Sequence, residues 1–205
     1  MRILIILIAL VLLSCNEKQE REKKAEQAVQ QKLKELFFDW SKKEITNKHL
    51  WAKDSCYPDW IMRHDFEGTL EDMWGLPDSS SFNYSYADVN EDGKTDQLVT
   101  FMPSQCDGGN ASMWVQIEVL AISDKDQYKI ETSMGDGIFS AAGQGASGFY
   151  FYDSIGVNKI YATYFNFGER DGHCCPSIVK NVVFDYKTRK VIHTGPNVSK
   201  QYNGQ

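Results

Sequence analysis

The nine residues from Asp88 to Asp96, D-V-N-E-D-G-K-T-D, run without a break into Gln97-Leu98-Val99-Thr100-Phe101. β-Branched and aromatic residues follow the loop, and F-N-Y-S-Y-A from Phe82 to Ala87 precedes it, so the loop joins two strands rather than two helices. Asp88, Asn90 and Asp92 stand at alternate positions, Gly93 falls where a sharp turn must form, the carbonyl of Lys94 comes next and Asp96 closes the set. Oxygen ligands at that spacing converge on one point, as a calcium ion with six to eight oxygen ligands requires. Val99 occupies the position of the bidentate Glu of an EF-hand and no amphipathic helix follows, which excludes a complete EF-hand. The alternative for the same residues is an Asp/Asn/Gly turn with no ion.

D-x-N-x-D-G-x-x-D entering an apolar strand resembles the calcium-binding loops of FG-GAP and VCBS repeats, found in many extracellular and cell-surface bacterial proteins. The resemblance implies a structural calcium ion and covers this loop alone. No second copy is visible in the chain, so a propeller built of such repeats is not supported.

The beginning of the chain carries an address. Met1-Arg2 is a short positive start, Ile3 to Leu13 is an unbroken apolar run of signal-peptide length, and Leu12-Leu13-Ser14-Cys15 follows. That tetrapeptide resembles the lipobox of bacterial lipoproteins, which implies cleavage before Cys15, acylation of Cys15 and a mature protein anchored by lipid in the cell envelope, periplasmic or surface-facing. Residues 1–14 are therefore expected to be a signal peptide. Residues 15–24, with N-E-K-Q-E-R-E-K-K from Asn16, form a charged tether with mixed signs and nothing to bury. Residues 25–200 make a single domain, and 201–205 a tail. The formal net charge of −6 gives the body no reason to bind nucleic acid.

Val29, Leu33, Leu36, Phe37 and Trp40 recur at helical spacing from Ala25 to about Trp40. A second helix is expected around Thr46 to Lys53, and Thr69-Leu70-Glu71-Asp72 with Gly75 has the cap, acidic turn and terminal glycine of a one-turn helix. After Pro77 the chain turns to strands. Phe82–Ala87, Gln97–Met102, Met113–Ile122, Tyr128–Thr132, Phe149–Asp153, Lys159–Phe167, Ile178–Tyr186 and Val191–His193 are separated mostly by gaps short enough for hairpins. Helices in front and strands behind predict an α+β fold, N-terminal helices packed on an antiparallel meander of about seven or eight strands.

Two glycine-rich segments interrupt the series, Cys106-Asp107-Gly108-Gly109-Asn110 and Gly135 to Gly148. The second contains a literal G-x-G-x-x-G at Gly143, Gly145 and Gly148, but Phe149-Tyr150-Phe151-Tyr152 follows it where a dinucleotide site needs a helix. With Cys15 acylated, Cys56, Cys106, Cys174 and Cys175 remain, and an extracytoplasmic location favours disulfides. Neighbouring Cα atoms lie about 3.8 Å apart, too close for an unstrained bridge between Cys174 and Cys175. Cys56 and Cys106 are then each expected to pair with one of them. His173 with three cysteines is the competing zinc reading, at a spacing unlike the usual knuckles. Gly172-His173-Cys174-Cys175-Pro176-Ser177 also resembles a Cys-Cys-Pro-Ser segment of uncharacterised bacterial secreted proteins and lipoproteins, which implies no activity.

No G-x-S-x-G, H-E-x-x-H or P-loop is present, and His49, His64, His173 and His193 stand apart in sequence. The expectation is a non-enzymatic, envelope-anchored lipoprotein that binds another protein in the manner of an inhibitor or immunity factor. Two alternatives belong to other classes. One is a carbohydrate-binding module with Trp51, Trp60 or Trp74 as platforms, and the other a hydrolase using Asp59, Asp65, Glu67, Glu71 and Asp72.

Overall fold

The computed structural model describes residues 2–47, 49–50, 74–105, 116–132, 148–172 and 175–199. One helix, α1 (Arg2–Thr46), precedes ten strands: β1 (Trp74–Gly75), β2 (Asn83–Ala87), β3 (Asp96–Phe101), β4 (Ser104–Gln105), β5 (Ile117–Asp124), β6 (Gln127–Thr132), β7 (Gly148–Gly156), β8 (Lys159–Asn166), β9 (Ile178–Asp185) and β10 (Lys190–Asn197). Strands β2, β3, β5 and β6 form one four-stranded sheet in that order, and β10, β9, β8 and β7 form a second. Every pairing is antiparallel, and β1 with β4 makes a small separate ribbon.

This overturns the expected α+β arrangement. Among the described residues there is one helix and two four-stranded antiparallel sheets, a mostly β fold. Of the expected second helix, Thr46 ends α1 and Asn47, His49 and Leu50 lie in a turn and a bend, while Lys48 and residues 51–53 lie outside the described residues. The expected one-turn helix, Thr69 to Asp72, lies outside the described residues, and Gly75, its expected terminal glycine, belongs to strand β1. One helix cannot cover one face of an eight-stranded sheet, whereas two sheets folded together bury each other's inner faces.

The packing follows from strand alternation. Leu98, Leu120 and Ile122 of the first sheet meet Tyr152, Ile155, Ile160, Ala162, Val182 and Phe184 of the second, forming the core between the sheets. The opposite face of the first sheet, Val99, Phe101, Ile117 and Val119, receives Phe37 and Trp40 of α1 together with Leu50. Strands β3 and β5 are thus buried on both faces, which is why the polar residues Gln97, Thr100 and Glu118 are enclosed. On the far face of the second sheet Phe151, Phe165 and Val179 form a third cluster beneath Phe149 and Val198.

Where β2 meets β7, the sheets are joined by side chains rather than by a ladder. A bulge between Tyr152 and Ser154 makes Asp153 an extra residue, so that Tyr152 and Ile155, three apart, both face inward. The disrupted backbone is satisfied from β2. The Asn83 amide donates to the Asp153 carbonyl at 2.9 Å, and the Ile155 N–H donates to Ser85 Oγ at 3.0 Å. These contacts run β2 and β7 in the same direction, so corresponding strand ends of both sheets lie together.

The molecule therefore has two unlike ends. At one end lie the Asp88–Thr95 loop and the tight turns β5–β6, β7–β8 and β9–β10. At the other, β3, β6 and β8 finish and β5, β7 and β9 begin, which is where the connections 106–116, 133–147 and 167–177 attach.

Candidate functional site: the acidic loop

The loop begins after β2 and is plugged into the core by Val89, which is fully buried against Leu98 and Leu120. Glu91 and Gly93 take positive φ values of 62° and 84°. Gly93 therefore meets the conformational demand that its sequence position implied, while Glu91 carries a side chain in the left-handed region and pairs with Lys187 of the β9–β10 turn.

The acidic side chains fold the loop around themselves. Asp88 accepts the N–H groups of Asp92 at 3.0 Å and Gly93 at 2.8 Å, one on each oxygen. Asn90 accepts the Asp92 N–H at 3.1 Å and donates to the Ser123 carbonyl at 2.8 Å. Asp92 Oδ1 accepts the Lys94 N–H at 2.9 Å. Asp96 opens β3 fully buried, with the Val89 N–H on Oδ2 at 2.8 Å and the Ser123 N–H on Oδ1 at 2.7 Å. Ser123, at the end of β5, places one hydroxyl 2.7 Å from Asp96 Oδ1 and 3.0 Å from Asp92 Oδ1.

Two carboxylates therefore share a hydroxyl that has only one proton to give. Burial pushes the Asp96 carboxyl above its usual range, against the N–H and O–H donors of Ser123 and the N–H of Val89. Burial also opposes charge on Asp92, but the Lys94 N–H, the Ser123 hydroxyl, the Asn90 side chain and the Lys94 charge outweigh it and hold Asp92 low. Tyr128 closes the rim by donating its hydroxyl to the Thr95 carbonyl at 3.0 Å.

Among the described residues no three His, Cys, Asp or Glu side chains are gathered at metal-ligand spacing. The loop holds its carboxylates on its own N–H groups. The donor set still fits a hard cation, because each carboxylate oxygen keeps lone pairs beyond those N–H bonds and the surplus negative charge beside Ser123 has no second proton. Asp88, Asn90, Asp92, Asp96 and the Lys94 carbonyl would hold such an ion. Asp96 also pins the loop to β5 through its contacts with Val89 and Ser123. Sequence reading missed Ser123, which no local signal marks. Only the β3–β5 register, with Gln97 opposite Ala121, brings it beside Asp96.

The remaining sequence candidates are less informative. Cys175 is exposed in the connection before β9, whereas Cys56, Cys106 and Cys174 lie outside the described residues, as do His64, His173 and the acids Asp59, Asp65, Glu67, Glu71 and Asp72. Trp51 and Trp60 also lie outside them, and only the backbone of Trp74 is described. Cys15 falls within α1. Among the described residues no helix is long and apolar enough to cross a membrane. Comparison with protein-family models, with curated proteins and with solved structures gave no match.

Proposed function

We propose that the chain is an envelope lipoprotein, acylated on Cys15, whose β-sandwich binds another protein, with Asp88–Asp96 as a structural calcium loop. The unlike ends of the sandwich carry this reading. Three tight turns and a loop held by its own side chains occupy one end, and the long connections, two of them glycine-rich, attach at the other. A rigid sheet that presents long connections at one end is the usual scaffold of a recognition surface. Calcium would act on stability, not on recognition, because the acidic loop lies at the opposite end.

Cross-linking on intact cells, followed by capture of the chain and mass spectrometry of the adducts, tests the proposal. One partner recovered in stoichiometric amount, with its cross-links in 106–116, 133–147 or 167–177, is the expected result. Recovery of the chain alone contradicts it.

A further inference from the structure

The sequence marks residues 15–24 as a tether, and the structure makes them part of an unbroken helix that runs from Arg2 to Thr46. Residues 18–29 are exposed throughout, and from Lys18 on Leu33 is the first fully buried position. The helix projects well past the sandwich before it meets it. No Gly or Pro occurs between Arg2 and Thr46, and Glu, Lys, Gln, Ala and Arg dominate the projecting part. Lys24 pairs with Glu20 at 2.9 Å and Lys18 with Glu22 at 3.8 Å. Gln30 bonds Glu26 and Gln31 bonds Glu35, both at 3.1 Å, and each of these pairs spans one turn. A free segment of this length is marginal alone, but here its last turns are fixed by Phe37 and Trp40 against the first sheet, which removes the nucleation cost.

We propose that α1 from Cys15 onward is a rigid stalk holding the sandwich at a set height above a lipid bilayer. The proposal rests on the reading of Cys15 as the acylated residue. From Cys15 to Leu33 the helix rises about 27 Å. Lying flat on the bilayer is disfavoured, because Ala25, Ala28 and Val29 are the only apolar residues from Lys18 to Lys32 and the charges there have both signs. The stalk sets reach: the body meets partners standing at that height and is kept from the lipid surface.

The test places two spin labels on genetically encoded ketone side chains, sparing the native cysteines, at Lys18 and Lys42 of the full chain purified from membranes and returned to phospholipid vesicles. A stalk gives a narrow distance distribution near 36 Å. A broad distribution centred near 27 Å, the span of a flexible coil of that length, overturns the proposal. The double change Ala25→Pro and Ala28→Gly is expected to broaden the distribution while leaving the melting temperature of the sandwich unchanged, and a distribution it leaves narrow contradicts the stalk. Metabolic labelling with palmitate, compared with Cys15→Ser, reads the anchor separately. A wild-type chain without label overturns the anchor, and with it the set height, whatever the label distance shows.

Discussion

Ser123 donates both its backbone N–H and its hydroxyl to the same oxygen of Asp96, each at 2.7 Å, across 27 residues of sequence. This double contact fixes the acidic loop to the end of β5. Removing the hydroxyl leaves a buried carboxylate oxygen with one donor fewer and takes from Asp92 the donor it shares. Ser123→Ala is therefore expected to destabilise the protein by about 1–3 kcal/mol, measured by urea denaturation. An unchanged denaturation midpoint would show that the contact carries no stability.

Calcium is expected to raise the melting temperature, with a gain of about 1.4 kcal/mol at ten times its dissociation constant. Asp88→Ala and Asp92→Ala should abolish the shift, and magnesium, which demands tighter octahedral geometry, should give less. A melting temperature indifferent to both calcium and chelator leaves the loop as a hydrogen-bonded turn.

The Thr188 N–H and hydroxyl, on one oxygen of Asp185, hold that carboxyl below the usual range, with Asn158 and the charge of Lys187 assisting against a small desolvation cost. A carboxylate whose folded pKa is depressed adds stability above its unfolded value, near about 3.9, and loses it as the pH falls through the folded value. Asp171, fastened by the Gly168 N–H at 2.6 Å and the Ser177 N–H at 2.7 Å, contributes with the same sign. Asp185→Asn should therefore flatten the loss of stability below about pH 4, followed by denaturation across a pH series. A slope equal to that of the wild type would refute the assignment.

Gly148 opens β7 beneath the ring of Tyr164, and a Cβ there would lie 2.2 Å from the Tyr164 hydroxyl oxygen. Its place in the G-x-G-x-x-G string thus has a packing explanation. Gly148→Ala should cost about 1–3 kcal/mol as Tyr164 is displaced from Tyr150, whose ring lies 5.0 Å away. Combining it with Tyr164→Ala, which clears the space, should give less than the sum of the two single effects in a double-mutant cycle.

Strand positions were legible because composition and turn residues report local structure. Strands β2, β3 and β5 to β10 lie on the segments that Phe82–Ala87 through Val191–His193 marked, with ends shifted by a few residues. The division into two sheets was not legible, since period-two alternation says which residues share a face and not what covers it. Glu118 illustrates this: nothing beside it in the chain shows what covers its face of β5, and it is 3% exposed. The length of α1 was legible in principle, through the absence of Gly and Pro and the i,i+4 pairs. Its mixed charges read equally as a solvated tether. Within the acidic loop the spacing of Asp88, Asn90, Asp92 and Gly93 announced a sharp, oxygen-lined turn, whereas the anchoring by Ser123 depends on strand register and lies beyond local sequence.

The proposed function puts partner recognition at the end of the sandwich opposite the acidic loop. Photo-cross-linking amino acids at Met102, 52% exposed just after β3, and at Val157, 61% exposed in the β7–β8 turn, sample the two ends on intact cells. A discrete protein adduct from Met102 and none from Val157 is the expected result. An adduct confined to Val157, or none from either position, would contradict it.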